Sequence, residues 1–242
     1  MLKQKKFPSK LDFSAYSSPR AKEKSLDLEE VPVGTITALR VNYRKKKVTV
    51  FIDSSFSFDI GDEVAATSGL EIGQHLSSEQ IKELKQVDLF QRCFGAALHF
   101  LGYRPRSETE VRQRLRHRGF NVEVVDKVIV GLKERRLIDD VAFAQYWRDN
   151  RLSFRPRSRR LIKLELRQKG VAIETTDEVV ENLDDENAAY EAGFKKARVL
   201  SSSDYSEFHS RLSGHLRRRG FDYEAIDAAV MRLWQERQSD PV

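Results

Sequence analysis

The sequence predicts a mainly α fold: three tandem three-helix repeats in an elongated helical array, preceded by a small β-hairpin-plus-helix domain. Three observations carry this prediction. The stretch Tyr103-Arg104-Pro105-Arg106-Ser107, followed by a helical pattern ending at Gly119, returns fifty-one residues later as Phe154-Arg155-Pro156-Arg157-Ser158 ending at Gly170, and a degraded third copy ends at Gly220. Apolar residues keep fixed distances from those glycines: Val111, Ile162 and Leu212 lie eight before, Leu115, Leu166 and Leu216 four before, and Leu132, Leu183 and Leu233 thirteen after. Between residues 34 and 58 the pattern instead alternates with a period of two, as strands do.

In chain order, residues 1–31 are rich in Lys, Ser and Glu and poor in aliphatic side chains. They bury too little to offset the entropy of ordering and read as a disordered basic arm. Residues 32–87 read as the small domain. Thr35 to Tyr43 and Val48 to Asp53 form strands around a charged turn, Arg44 to Lys47, and Phe56 to Phe58 adds a short third strand. Asp62 to Ser68 and Ser77 to Val87 are short helices, separated by Gly69 and Gly73. Tyr43 beside Arg44, Lys45, Lys46 and Lys47 has the makings of a stacking-and-charge contact for nucleic acid. The plain alternative is a solvated hairpin tip whose lysines guard the sheet edge.

The repeats span about 88–136, 137–183 and 184–240. Their helices are expected near 88–102, 107–118 and 121–134, then 139–152, 158–169 and 173–182, then 185–200, 205–219 and 222–236. Glycine just past a helix end adopts the left-handed conformation that a Cβ resists, so the next residue folds back on the helix. The pairs brought together are Phe120 with Leu115, Val171 with Leu166 and Phe221 with Leu216. Ser107 and Glu110 read as a capping box. The third copy carries Ser201-Ser202-Ser203-Asp204 in place of the Arg-Pro-Arg-Ser turn.

Charged residues make up 33% of the chain and hydrophobic ones 40%, which suits a repeat array with a large charged surface. A net charge of +6 and a pI near 9.3 favour a polyanionic partner. The single cysteine, Cys93, excludes an internal disulfide framework and reads as a core filler. No run is long and apolar enough for a membrane span and no signal core is visible, so a cytoplasmic location is expected. No P-loop, paired Cys or His metal spacing, or nucleophile elbow is present, so neither catalysis nor any metal or cofactor is expected.

Tyr103-Arg104-Pro105-Arg106-Ser107-Glu108, Leu137-Ile138-Asp139-Asp140-Val141-Ala142-Phe143-Ala144 and the three helix-glycine units together resemble the RecX family, bacterial regulators of the RecA recombinase. The resemblance covers about 88–236, and more loosely the strand-bearing segment before it. It implies three helical repeats that bind the RecA filament, usually inhibiting its ATPase and strand exchange, with DNA a further partner of some members.

The residues themselves point to a surface of matching chemistry. Arg159, Lys163 and Arg167 repeat every four residues and form one stripe on the central helix, flanked by Arg160. Arg155 and Arg157 add charge before it, and Arg104, Arg106, Arg112, Arg116 and Arg217 are candidates in the outer repeats. Few carboxylates share the central helix, chiefly Glu165. A solvated charged face is the ordinary alternative. A groove-reading helix-turn-helix is disfavoured, because the helix after each glycine carries acids such as Asp126, Asp177 and Asp227. The expected role is a monomeric, non-catalytic regulator of the RecA–DNA filament. The rival is a sequence-nonspecific DNA-binding repeat protein that does not depend on RecA.

Overall fold

The computed structural model describes residues 33–200 and 204–239; the expected arm at 1–31 and Ser201 to Ser203 lie outside them. The described chain falls into two compact units, one holding residues 33–104 and 111–138, the other 105–110, 139–200 and 204–239.

The first unit opens with a four-stranded antiparallel sheet ordered β3-β2-β1-β4, from β1 (Gly34–Asn42), β2 (Lys47–Ile52), β3 (Ser55–Gly61) and β4 (His75–Leu76). The alternation in the sequence becomes two faces. Ile36, Val48, Val50, Ile52, Phe58 and Ile60 turn inward, where they meet Val64 and Ala65 of α1 (Asp62–Thr67) and Ile81 and Leu84 of α2 (Ser78–Leu101). The short β4 escaped prediction, since two residues cannot establish a period.

The helices foreseen at 77–87 and 88–102 are instead a single helix, α2, of 24 residues. Ser77 and Gln80 close its N-terminus with a capping box, and no glycine or proline interrupts it before Gly95. Asp88, at the supposed break, is buried and accepts a hydrogen bond of 2.6 Å from the Gly61 amide. Its carboxylate fastens the helix to the end of β3.

The second half of α2 packs with α3 (Glu108–His117) and α4 (Val122–Glu134) as the first repeat, around Cys93, Val111, Leu115, Phe120, Val128 and Leu132. The first turn of α3 groups with the second unit. That unit also holds α5 (Asp140–Phe154), α6 (Arg159–Gln168) and α7 (Ile173–Val180), then α8 (Asp185–Val199), α9 (Tyr205–Arg217) and α10 (Tyr223–Ser239). Their cores form around Phe143, Ile162, Leu166 and Val180, and around Phe208, Leu212, Leu216, Val230 and Leu233.

Each repeat glycine follows its helix with positive φ: 93° at Gly119, 79° at Gly170 and 85° at Gly220. The Phe120 amide donates to the Leu115 carbonyl at 3.3 Å and the Val171 amide to that of Leu166 at 3.1 Å, the reversal expected of this turn.

Inside the second unit, the serine of an Arg-Pro-Arg-Ser turn has a task beyond capping. Ser107 is fully buried, and its Oγ donates to the Lys169 carbonyl beside Gly170 at 2.6 Å. Ser158, also buried, donates its amide to the Arg219 carbonyl beside Gly220 at 3.1 Å. An aspartate braces each seat: Glu108 N–H donates to Asp140 at 2.9 Å, and Arg159 N–H to Asp185 at 2.7 Å. The motif therefore seats a helix start against the glycine turn of the repeat that follows.

Candidate functional site

The basic row lies on α6. Ser158 caps this helix, accepting from the Leu161 amide at 3.2 Å, while Ile162 and Leu166 face the core. Arg159, Arg160 and Arg167 are left exposed and Lys163 half-buried on the opposite side, with Leu164, half exposed, among them. The i, i+4, i+8 spacing thus becomes a continuous outward row.

Two features of its electrostatics go beyond the sequence pattern. Glu165, the main carboxylate on this helix, is only 9% exposed and turned inward. It accepts Trp147 Nε1–H at 2.8 Å and Arg151 Nε–H at 2.7 Å, and pairs with Arg157 as well. It draws Arg157 inward and leaves the row's own charge untouched. The neutralising group comes from α7, where Asp177 Oδ1 lies 2.8 Å from Lys163 Nζ and 3.6 Å from Arg167 Nη2. The hydrogen-bonded Lys163 ammonium, and then the charges of Lys163 and Arg167, hold the Asp177 carboxyl below its ordinary pKa.

Asp177 belongs to a repeating clasp. Arg112 of α3 pairs with Asp126 of α4, and His209 of α9 lies 3.4 Å from Asp227 of α10. The three aspartates stand fifty-one and fifty residues apart, so the pattern was legible beside that of the glycines. In sequence these aspartates argue only against groove reading; their pairing with the preceding helix emerges in the fold.

A second cluster gathers near the start of α6. Arg155 is exposed and Arg157 half-buried; Arg218 and Arg219 follow α9. Burial, and then the Arg157, Arg218 and Arg155 charges, lower the Arg219 guanidinium from its ordinary value. Arg218 and Arg219 were missed, although the run Arg217-Arg218-Arg219 before a repeat glycine was a visible signal. Of the remaining candidates, Arg116 and Arg217 are exposed and Arg104, Arg106 and Arg112 half-buried. Arg104, Arg112 and Arg116 belong to the first unit, Arg106 and Arg217 to the second.

Among the described residues no group of His, Cys, Asp and Glu is arranged to hold a metal ion. No described helix is long and apolar enough to cross a membrane.

Glycine-closed three-helix repeats, with a cationic outer row on the central one, define a tandem helical-repeat protein. Family models for the first, second and third three-helix domains of RecX match residues 93–132, 139–180 and 184–230. The chain belongs to the RecX family of regulatory proteins. The regulatory protein RecX of Clostridium perfringens strain 13 is 30% identical over 207 residues, covering 83% of this chain and 97% of that one. That of Listeria welshimeri is 27% identical over 205 residues, covering 83% and 76%. The fold resembles a crystal structure of regulatory protein RecX with a TM-score of 0.59, at 20% identity over 81% of this chain and 98% of that one. RecX from Lactobacillus salivarius gives 0.53, at 24% identity over 62% and 99%.

Proposed function

We propose that this protein regulates RecA recombinase by binding the RecA–DNA filament, and that it inhibits the filament's ATPase and strand exchange. The observation that carries the contact surface is the outward row of α6, in which Arg159, Arg160, Lys163 and Arg167 stand together with Leu164. Arginine forks suit both phosphates and carboxylates, so the row fits a DNA backbone or an acidic groove of the filament. Arg155 and Arg217 would add exposed charge within the second unit, and Arg157, paired with Glu165, would contribute only if released from it; Arg104, Arg106, Arg112 and Arg116 would supply weaker contacts elsewhere. The protein acts as a monomer in the cytoplasm, without catalysis, in DNA repair, recombination and the SOS response.

The test adds the protein below equimolar amounts to RecA on DNA and follows ATP hydrolysis and strand exchange. Arg159→Glu, Lys163→Glu and Arg167→Glu combined is expected to keep the thermal transition and lose inhibition, since three attractions become repulsions. If phosphates are contacted, the wild-type affinity falls steeply with salt. The log–log slope of the variant is then shallower by about two units, because Asp177 already cancels part of the row. If an acidic filament groove is the partner, RecA regulation collapses while weak binding to bare DNA persists. A folded triple variant that inhibits at wild-type concentrations overturns this reading.

A further inference from the structure

Among the described residues, the sheet of the first unit buries its inward face and leaves the side chains of its outward face exposed or half-buried. Outward side chains form three cross-strand rows: Ala38, Phe51 and Phe56; then Arg40, Thr49 and Asp59; then Asn42 and Lys47, which pair with Gly61 at the end of β3. Phe56 is 61% exposed and meets Phe51 edge to face, with centroids 6.5 Å apart and an interplanar angle of 82°. The Arg40 guanidinium lies 5.5 Å from the centroid of the Phe51 ring. Beyond the last row the β1–β2 turn carries Tyr43, 85% exposed, followed by Arg44, Lys45 and Lys46, all exposed. Asp59 is the one carboxylate on β1, β2 and β3, and it already accepts a hydrogen bond of 2.7 Å from the Thr49 hydroxyl.

An apolar core does not explain this face, because both Phe56 and Tyr43 are held out of it. Edge protection explains the lysines but not the rings. Exposed aromatic rings set among fixed cations match a chain with flat apolar bases and a phosphate on every unit. From Ala38 to Tyr43 the strand covers about 17 Å, enough for a few nucleotides.

We propose that the outer face of the β1–β3 sheet, with its β1–β2 turn, binds single-stranded nucleic acid, bases stacking on Phe56 and Tyr43 and phosphates meeting Arg40, Lys47 and the Arg44–Lys46 turn. A duplex hides its base faces and gains only the charge contacts. The proposal goes beyond the RecA reading and does not rest on it, since this face belongs to the first unit and the α6 row to the second.

The experiment measures binding of a fluorescently labelled oligothymidylate of about 20 nucleotides, without RecA, by the full chain and by its Arg159→Glu, Lys163→Glu, Arg167→Glu form. In both backgrounds, Phe56→Ala with Tyr43→Ala is expected to weaken binding about fivefold to a hundredfold. The same pair should hardly change binding to an abasic strand of equal length, which offers phosphates without bases. Arg40→Ala with Lys47→Ala should weaken binding to both strands and flatten the salt dependence. Because all four side chains point outward, the thermal transitions should stay near that of the parent. Ultraviolet crosslinking to the thymidylate should mark the peptides holding Tyr43 and Phe56. Wild-type affinity in the folded aromatic variant, or an equal loss on the abasic strand, overturns the proposal. So do crosslinks confined to residues 159–167.

Discussion

Asp126, Asp177 and Asp227 occupy one position in three successive repeats, and each takes a basic side chain from the helix before it. In the central repeat the same pairing holds Lys163 and Arg167 in place and dulls their charge. Asp177→Asn should therefore raise affinity for a polyanion, up to about fivefold at low salt and less as salt rises. A salt titration of DNA or filament binding checks this; unchanged affinity would mean that no anion approaches α6. Glu165 offers the opposite case, because its partners are inside. Glu165→Gln leaves Arg151 and Arg157 without their shared carboxylate and should cost about 3 kcal/mol. Denaturant unfolding measures that loss, and a cost near zero would show that water replaces the carboxylate. The two acids look alike in sequence, yet one tunes a surface and the other holds a core.

At the scale of the element, α6 is defined by what closes its two ends. Leu166 is fully buried four residues before Gly170, so Leu166→Ala should destabilise by about 2–5 kcal/mol. Gly170→Ala should cost at least about 1 kcal/mol from its φ of 79° alone. A Cβ there would also run into the Thr109 side chain. Adding Thr109→Ala should recover only part of the clash, because Thr109 Cβ itself would stand 2.5 Å away, and none of the backbone strain; a double-variant cycle on melting temperature measures the recovered part. At the other end, Asp185 accepts the Arg159 amide, and burial raises its pKa, with Asp222 and Asp184 contributing to the rise. A raised folded pKa means that protonation favours the fold. The stabilising contribution is complete below the unfolded value and disappears as pH rises through the folded one. Asp185→Asn, which cannot ionise, should thus compare better with the wild type at pH ~7 than at pH ~4 in thermal melts. A difference of the opposite sign would mean that the amide bond and the Arg159 charge outweigh burial.

Across the whole molecule, apolar side chains separate cleanly along the chain. The sheet core draws on residues 36–84, and the three helical cores on residues from 89 onward. The proposed boundary at 87 nevertheless falls within α2, beside the buried Asp88. A chain lacking residues 1–87 should keep a cooperative helical transition, because the helical cores draw on residues from 89 onward, with Leu152 packing against both the second and the third. Its melting temperature should be lower, since the capping box of α2 and the Gly61–Asp88 bond go with the deleted segment. Circular dichroism on heating tests this, and a gradual, non-cooperative loss of helix would join the sheet to the repeat cores.

The sequence alone determined the repeats, their helices and the glycine turns, because these rest on local rules. A 3.6-residue period, a cap and a left-handed glycine are each written within about ten neighbouring positions. It also determined the row Arg159, Lys163, Arg167, since one helix fixes the spacing of its own side chains. What lay between distant residues was decided only by tertiary structure. Asp88 was legible as an acid, but whether it broke a helix depended on Gly61, far from it in the chain. Likewise, Glu165 and Asp177 differ through Trp147, Arg151 and Lys163, which reach them from neighbouring helices or turns. Charge acts through space, so packing decided which carboxylate cancels the row and which one never meets it.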